Sequence, residues 1–370
     1  MKSELDEDQK TTLLLRKKIL EKQGYQLVEN HSAIKLCHYC KNALRGKTPC
    51  YKNTFYGIKS WQCIQATVTL DICNLKCQWC WRDIDYNPKH IKFTDSPKYI
   101  VKGLIEKQKQ ALTGFFGFKG VDKKRLKEST KPKHVALSLT GDACMYPKLP
   151  ELIDEIHKND MTSFLVTNGT FTSMLKKLIK HQPTQLYITL PAPDEETFEK
   201  LCKPSSKDQW KNILNSLKLL KYFKRSVIRL TLAKEMNLKD PEKYSDIINN
   251  VECDFIEIKS AMPIGGAMYR MTPEQAPTHE ELKKFAKKIQ KLTKFKIIDE
   301  QEESRVVLMC KEDNNKRFLK IDQVAGEGCN CSKRVSIRFS RNLVTERVFL
   351  DCTRFSRNLK SWLSRITKIP

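Results

Sequence analysis

Two hydrophobic rhythms alternate along the chain from about residue 64 to residue 300. Short runs rich in β-branched and aromatic residues read as strands: ATVTLDI (66–72), HVALSLT (134–140), TSFLVTN (162–168), TQLYITL (184–190), SVIRLTLA (226–233) and DFIEIKS (254–260). Between them apolar residues return every three or four positions, as a helix requires, in PELIDEIHKN (150–159), DEETFEKLC (194–202), WKNILNSLKLLKYF (210–223) and PTHEELKKFAKKIQKL (277–292). The last opens with Thr278 and Glu281 at capping-box spacing, just behind a proline. Repeated βα units need right-handed crossovers and a parallel sheet. Six of them predict an α/β fold, a partial (β/α)6 barrel over residues 63–300.

The pattern changes on either side. Residues 1–62 read as an N-terminal extension that carries cysteines and one amphipathic helix near TLLLRKKILEKQG. Residues 301–370 read as a basic C-terminal extension with strand-like SRVVLMC, VSIRFSR and ERVFLD and a final helix, RNLKSWLSRI. No internal repeat or low-complexity tract interrupts the chain.

Composition narrows the class of protein. No apolar run approaches the roughly 18 residues of a membrane span, and the first ten residues, MKSELDEDQK, lack the apolar core of a signal peptide. A cytoplasmic protein with no membrane association is expected. Lys and Arg number 68 against 43 Asp and Glu, a net charge of +25. The excess is concentrated: residues 31–60 hold six basic residues and no acid, 101–134 ten against three, and 332–370 ten against two. Such segments fit the phosphates of a nucleic acid. Fourteen cysteines in a chain expected to stay in a reducing compartment point to ligation rather than disulfides.

Cys73, Cys77 and Cys80 follow the first predicted strand with the spacing C-x3-C-x2-C. Zinc fingers pair their cysteines and bring a fourth ligand from a distance, whereas three close cysteines hold three irons of a 4Fe-4S cube and leave the fourth open. That iron can take the amino and carboxylate groups of S-adenosyl-L-methionine (SAM), so that an electron from the cluster cleaves the sulfonium to a 5′-deoxyadenosyl radical. Trp79, an aromatic residue just before the last cysteine, fits the radical SAM pattern. A structural zinc knot is the bland alternative.

Upstream, Cys37, Cys50 and Cys63 extend the cadence to C-x12-C-x12-C-x9-C-x3-C-x2-C. Together with PCYKNTFYGIKSWQC, NLKCQWCWRDI, LSLTGDACMYP, LVTNGT, QLYITLPAP, VIRLTLAK, DFIEIKS, PTHEELKKFA and ESRVVLM, this cadence resembles the 4-demethylwyosine synthases, which act on phenylalanine tRNA in the wybutosine pathway. The resemblance runs from about residue 37 to 310. It implies that Cys73, Cys77 and Cys80 hold the SAM cluster and that Cys37, Cys50 and Cys63 hold a second 4Fe-4S cluster with a free iron. It also implies that Lys52 holds pyruvate as a Schiff base, a role that needs burial or positive charge to lower the amine's pKa. A solvated or phosphate-facing side chain is the ordinary reading of a lysine. The implied substrate is N1-methylguanosine beside the anticodon, whose methyl group loses hydrogen to the radical and joins C2 of pyruvate held by Lys52, by the second cluster's open iron, or by both. Loss of the pyruvate carboxyl group and ring closure complete the tricyclic base. The resemblance further implies a separate ferredoxin or flavodoxin as electron donor; a monomeric protein is expected. The same barrel acting on a peptide or small molecule is the alternative.

Thr140, Gly141 and Asp142 follow the second predicted strand, where radical SAM enzymes carry a Gly-Glu-Pro-like motif touching the methionine amino group of SAM. Here Asp replaces Glu and Ala143 replaces Pro, which leaves backbone carbonyls to make that contact. Asn168 ends the third strand and reads equally as a SAM contact or as a turn residue before Gly169. Glu257 and Lys259 alternate toward one face, as an ion pair inside the barrel or as SAM-site groups. Tyr51, Phe55, Tyr56 and Trp61, set amid basic residues, read as base-stacking or core aromatics. Cys40 reads as an inert thiol or a local zinc ligand, and Cys144, Cys202 and Cys253 as core. Cys310, Cys329, Cys331 and Cys352 are idle thiols or a small metal site.

Overall fold

The chain opens with α1 (Glu7–Lys22), a hairpin of β1 (Tyr25–Val28) and β2 (Ser32–Lys35), and two short helices, α2 (His38–Leu44) and α3 (Tyr51–Tyr56). β3 (Cys63–Thr67) begins the repeating part. α4 (Pro97–Leu112) and α5 (Lys123–Ser129) lead to β4 (His134–Leu137), α6 (Leu149–Lys158) to β5 (Thr162–Thr167), and α7 (Thr172–Leu178) to β6 (Gln185–Thr189). α8 (Glu195–Cys202) and α9 (Gln209–Leu217) then lead to β7 (Ser226–Leu232), and α10 (Pro241–Asn249) to β8 (Phe255–Ser260). α11 (His279–Leu292), β9 (Lys296–Gln301) and β10 (Val306–Cys310) follow. This computed structural model describes residues 7–86, 94–313 and 317–319, which belong to one unit within residues 1–325. The expected pieces VSIRFSR, ERVFLD and RNLKSWLSRI, with Cys329, Cys331 and Cys352, fall outside the described residues.

Among the described residues ten strands make one sheet in the order β1-β2-β3-β4-β5-β6-β7-β8-β10-β9. β3 to β8 are parallel, as the six βα units predict. The hairpin adds antiparallel to β3 on one side, and β10 adds antiparallel to β8 on the other.

Alternation along each strand sorts the side chains by face. Val135, Leu165, Leu186, Ile188, Ile228 and Ile256 turn outward into the large core beneath the helices. Ala136, Phe164, Tyr187, Val227 and Phe255 turn inward and pack with Tyr51, Phe55 and Tyr56 of α3. α3 reaches β5, β6 and β8 at once, through Lys52 over the Phe164 and Tyr187 rings and Tyr51 on Glu257. In a flat sheet β5 and β8 would stand about 14 Å apart at roughly 4.8 Å per strand. The sheet therefore curls around α3, which fills one end of an open barrel.

Three expectations shift. The first strand covers Cys63–Thr67 rather than 66–72, because after Thr67 the chain leaves the ladder and turns at Asp71 (φ 62°), where Arg16 of α1 grips the carboxylate at 2.7 Å. The helix expected over 210–223 stops at Leu217 and gives way to a short 3-10 turn at Leu220–Tyr222. The β1–β2 hairpin went unforeseen in the N-terminal extension; its strands have four residues each, too few for a period to stand out.

Candidate active site

Cys73, Cys77 and Cys80 sit in a loop beyond the C-terminal end of β3, fastened by its backbone. The Lys76 and Gln78 amides donate to the carbonyls of Cys202 and Leu201 at the end of α8, at 2.7 and 2.9 Å. The buried Arg82 donates to the carbonyls of Asp71 and Leu75 at 3.1 and 2.7 Å. Arg270 donates to those of Gln78, Cys80 and Arg82. Burial raises the Cys73 thiol to about 12, with Asp142 adding to the rise and the Arg82 guanidinium opposing it. Arg82 acts in the same sense on Cys77 and Cys80. A buried cation beside three thiols favours their thiolate forms, which iron requires.

The segment after β4 closes against this loop. Gly141 takes φ 69°, and a Cβ there would lie 1.9 Å from the Thr69 carbonyl oxygen, so no larger residue fits. The buried Asp142 carboxylate accepts from Thr167 Oγ1 at 2.9 Å and from the amides of Asn168 and Cys144 at 2.7 and 2.9 Å. Burial raises its pKa and these hydrogen bonds lower it. Thr140 Oγ1 accepts from the Asp71 amide at 3.1 Å. Asn168 Nδ2 donates to Asn74 Oδ1, inside the cysteine loop, at 2.9 Å, and its own Oδ1 accepts from the Thr170 amide. Thr140, Gly141, Asp142 and Asn168 thus border the loop, with Asp142 turned toward protein donors.

The second cysteine set gathers at the other end of β3. Cys37 caps α2, Cys50 caps α3 and Cys63 begins β3. Burial raises the Cys50 and Cys63 thiols; Cys37 adds to the rise at both, and Cys50 adds to it at Cys63. Lys52 is buried two residues beyond Cys50, its amine 4.7 Å from the Phe164 ring centre and 5.0 Å from that of Tyr187. Burial, then the Arg229 guanidinium, pulls its pKa below the ordinary lysine value. The same two causes bring Lys259 down to about 8; it donates to the Ser304 carbonyl at 3.2 Å. Lys259 stands with this set, within electrostatic reach of Cys50 and Lys52.

The chemistry of both donor sets fits a 4Fe-4S cluster. Each offers three thiols beside a buried cation, Arg82 in one and Lys52 in the other. Among the described residues no three His, Cys, Asp or Glu side chains converge on one point.

Several partners had no signal in the sequence. Glu257 pairs with Arg229 at 2.8 Å rather than with Lys259, and accepts from the hydroxyls of Tyr51 and Tyr56 at 3.2 and 2.8 Å. Arg229, Arg82 and Arg270 went unnoticed among 68 basic residues. Tyr51, Phe55 and Tyr56 are buried inside the barrel, so of their two readings the core holds, while Trp61 is half-buried under Arg125. Cys40 is buried against the Trp61 carbonyl, and Cys144, Cys202, Cys253 and Cys310 are buried too. A surface cavity of about 470 Å³ between Arg225 and Cys310 shares no lining residue with either cysteine set.

Two family models match in succession, the radical SAM superfamily over residues 67–247 and wyosine base formation over 251–311. A parallel barrel with three cysteines beyond its first parallel strand is thus a radical SAM enzyme, which uses SAM and a 4Fe-4S cluster. The chain is 39% identical over 315 residues to the S-adenosyl-L-methionine-dependent tRNA 4-demethylwyosine synthase of Pyrococcus abyssi, covering 82% of this chain and 92% of that one. It is similar to a solved structure of TYW1 with a lysine-pyruvate adduct bound (TM-score 0.73, 37% identity, 81% of this chain and 96% of that one). A crystal structure of archaeal TYW1 matches at TM-score 0.67 and 34% identity, over 86% and 99%. The chain belongs to the tRNA 4-demethylwyosine synthase family.

Proposed function

We propose that this protein joins N1-methylguanosine, next to the anticodon of phenylalanine tRNA, to pyruvate and so forms 4-demethylwyosine. The observation that carries this reading is Lys52, a buried amine over two ring faces, with one cysteine set beside it and the other beyond the far end of β3. Its depressed pKa leaves a larger share of free amine to attack the pyruvate ketone and expel water as the imine forms. Imine formation makes C2 the electrophilic carbon that the methyl carbon joins. The lysine–pyruvate adduct in the similar TYW1 structure supports the same assignment.

The other residues divide between two ends of the site. Cys73, Cys77 and Cys80 would hold the cluster and SAM, which together supply a primary carbon radical when bound. Thr140 and Gly141 would meet SAM through their backbone, beside Asn168, whose position Asp142 holds. Cys37, Cys50 and Cys63 would hold a second cluster. Lys259 and Arg229 supply positive charge on the pyruvate side rather than the SAM side. A monomer in the cytoplasm, reduced by a separate ferredoxin or flavodoxin, completes the proposal; among the described residues no helix is long and apolar enough to cross a membrane.

Borohydride reduction in the presence of labelled pyruvate tests the reading. The label is expected on Lys52; full turnover by Lys52→Ala would remove the imine from the mechanism. Anaerobically reconstituted protein should hold about eight irons, two cubes of four. About four irons, unaffected by loss of Cys37, Cys50 and Cys63, would eliminate the second cluster.

A further inference from the structure

The first cysteine loop is gripped on two sides by segments of opposite chemistry. On one side the turn after α8, residues 203–208, is tied down by the Ser205 amide, which donates to the Asn74 carbonyl at 3.2 Å. Lys203, Ser205, Ser206 and Lys207 are exposed there and line a cavity of about 370 Å³. Lys203 holds φ 42°, an uncommon conformation for a non-glycine residue that the tight turn imposes.

On the other side, residues 262–270 leave the C-terminal end of β8 and press onto Trp81 and Arg82. The Gly266 amide donates to the Trp81 carbonyl at 2.6 Å, and a Cβ on Gly266 would stand 2.3 Å from the Arg82 carbonyl oxygen. With the inner face committed to backbone, the outer face exposes Met262 (37%), Ile264 (48%), Met268 (59%) and Tyr269 (84%), next to Trp81 (38%). A run of large apolar side chains left in water marks a binding surface.

From this pairing we infer that the two segments form the seat of the unpaired anticodon loop, with bases stacked on Tyr269 and Met268 and phosphates met by Lys203 and Lys207. The inference rests on the proposed tRNA reaction and adds where the RNA lies. Single-stranded RNA carries π-faces and anionic charge along one strand, the two chemistries found here on either side of one loop. Both segments border the C-terminal ends of the strands, where barrel enzymes receive substrates. An electron carrier can deliver its electron from a distance, but the base to be modified must come to the radical source. A rim in contact with the cysteine loop therefore suits substrate better than a redox protein. The apolar side also lies within the stretch that matches wyosine base formation, beyond the part shared with other radical SAM enzymes.

The test measures the affinity of the reconstituted protein for an anticodon stem-loop RNA bearing N1-methylguanosine, by fluorescence anisotropy, with RNA-independent SAM cleavage as a control. Tyr269→Ala should weaken binding about tenfold, the loss of one stacked base, while Tyr269→Phe keeps it. Lys203→Ala with Lys207→Ala should reduce the salt dependence by about 1.4 in log–log slope, two phosphates at roughly 0.7 each. SAM cleavage should be unchanged in all three. Unaltered affinity and slope in variants of an active protein would overturn this inference alone. So would slower reduction by flavodoxin at unaltered RNA affinity, which would assign the rim to the redox partner. A wild-type protein that never forms demethylwyosine would sink the inference together with the reaction it rests on.

Discussion

Glu257 and Arg229 face each other inside the barrel with two tyrosine hydroxyls completing the carboxylate's shell. Removing one charge from a buried pair leaves the other unpaired, at a cost of about 3–5 kcal/mol. Glu257→Gln should lose that much stability in denaturant unfolding; a loss under about 1 kcal/mol would mean that water already reaches the pair. His134 makes a second prediction. Burial, then the charge of Lys52, pushes its pKa from 6.5 to about 3, and among the described residues its Nε2 has no hydrogen-bond partner. The unfolded chain then binds more protons than the folded one between those values, so the contribution is complete above pH 6.5 and drains away as pH falls. Between pH 6.5 and 5 the wild type should lose up to about 2 kcal/mol more than His134→Gln, at roughly 1.4 kcal/mol per pH unit. Parallel pH curves for the two proteins would refute it. At this scale the cysteines were legible because one short loop carries three of them, and spacing alone records that. Arg229 was not. Its position in SVIRLTLA says which face it takes but not what waits there, and its partners come from α3 and β8.

Elements were readable wherever burial imposes a long period. The parallel strands are covered by helices outside and by α3 within, so their β-branched runs stand out. α11 announced itself through Thr278 and Glu281, which make the expected reciprocal cap. Polar β9 (KIIDEQ) and the four-residue hairpin strands leave no comparable trace. α4 left one that was passed over, Ser96 before Pro97, where the Ser96 side chain accepts from the Tyr99 amide. The element that matters most for the site, the cysteine loop, has no regular structure and depends on neighbours. Arg270→Ala removes the charged donor to three of its carbonyls, bonds worth about 1.5–3 kcal/mol each. Iron should leave this variant about tenfold faster under a chelator, and wild-type retention would show that Arg82 and α8 suffice.

For the whole molecule, the charge and the fold point to one substrate. A net charge of +25 over the whole chain, together with a buried lysine inside the barrel, suits a large anion presenting one small group to the interior. Binding of methylated tRNA should therefore weaken steeply as salt rises, and a flat response would assign the charge elsewhere. The class of the fold and the family were legible because the cysteine cadence and the strand text run through most of the chain. The gathering of Lys52, Lys259 and Arg229 was not, since these residues lie far apart in sequence and meet only when the sheet curls. The most direct test is anaerobic incubation with SAM, pyruvate, a strong reductant and phenylalanine tRNA bearing N1-methylguanosine, followed by nucleoside mass spectrometry. The account predicts that methylguanosine is replaced by 4-demethylwyosine only when pyruvate is present and Lys52 intact. Methylguanosine recovered unchanged, while SAM is cleaved to 5′-deoxyadenosine, would contradict it.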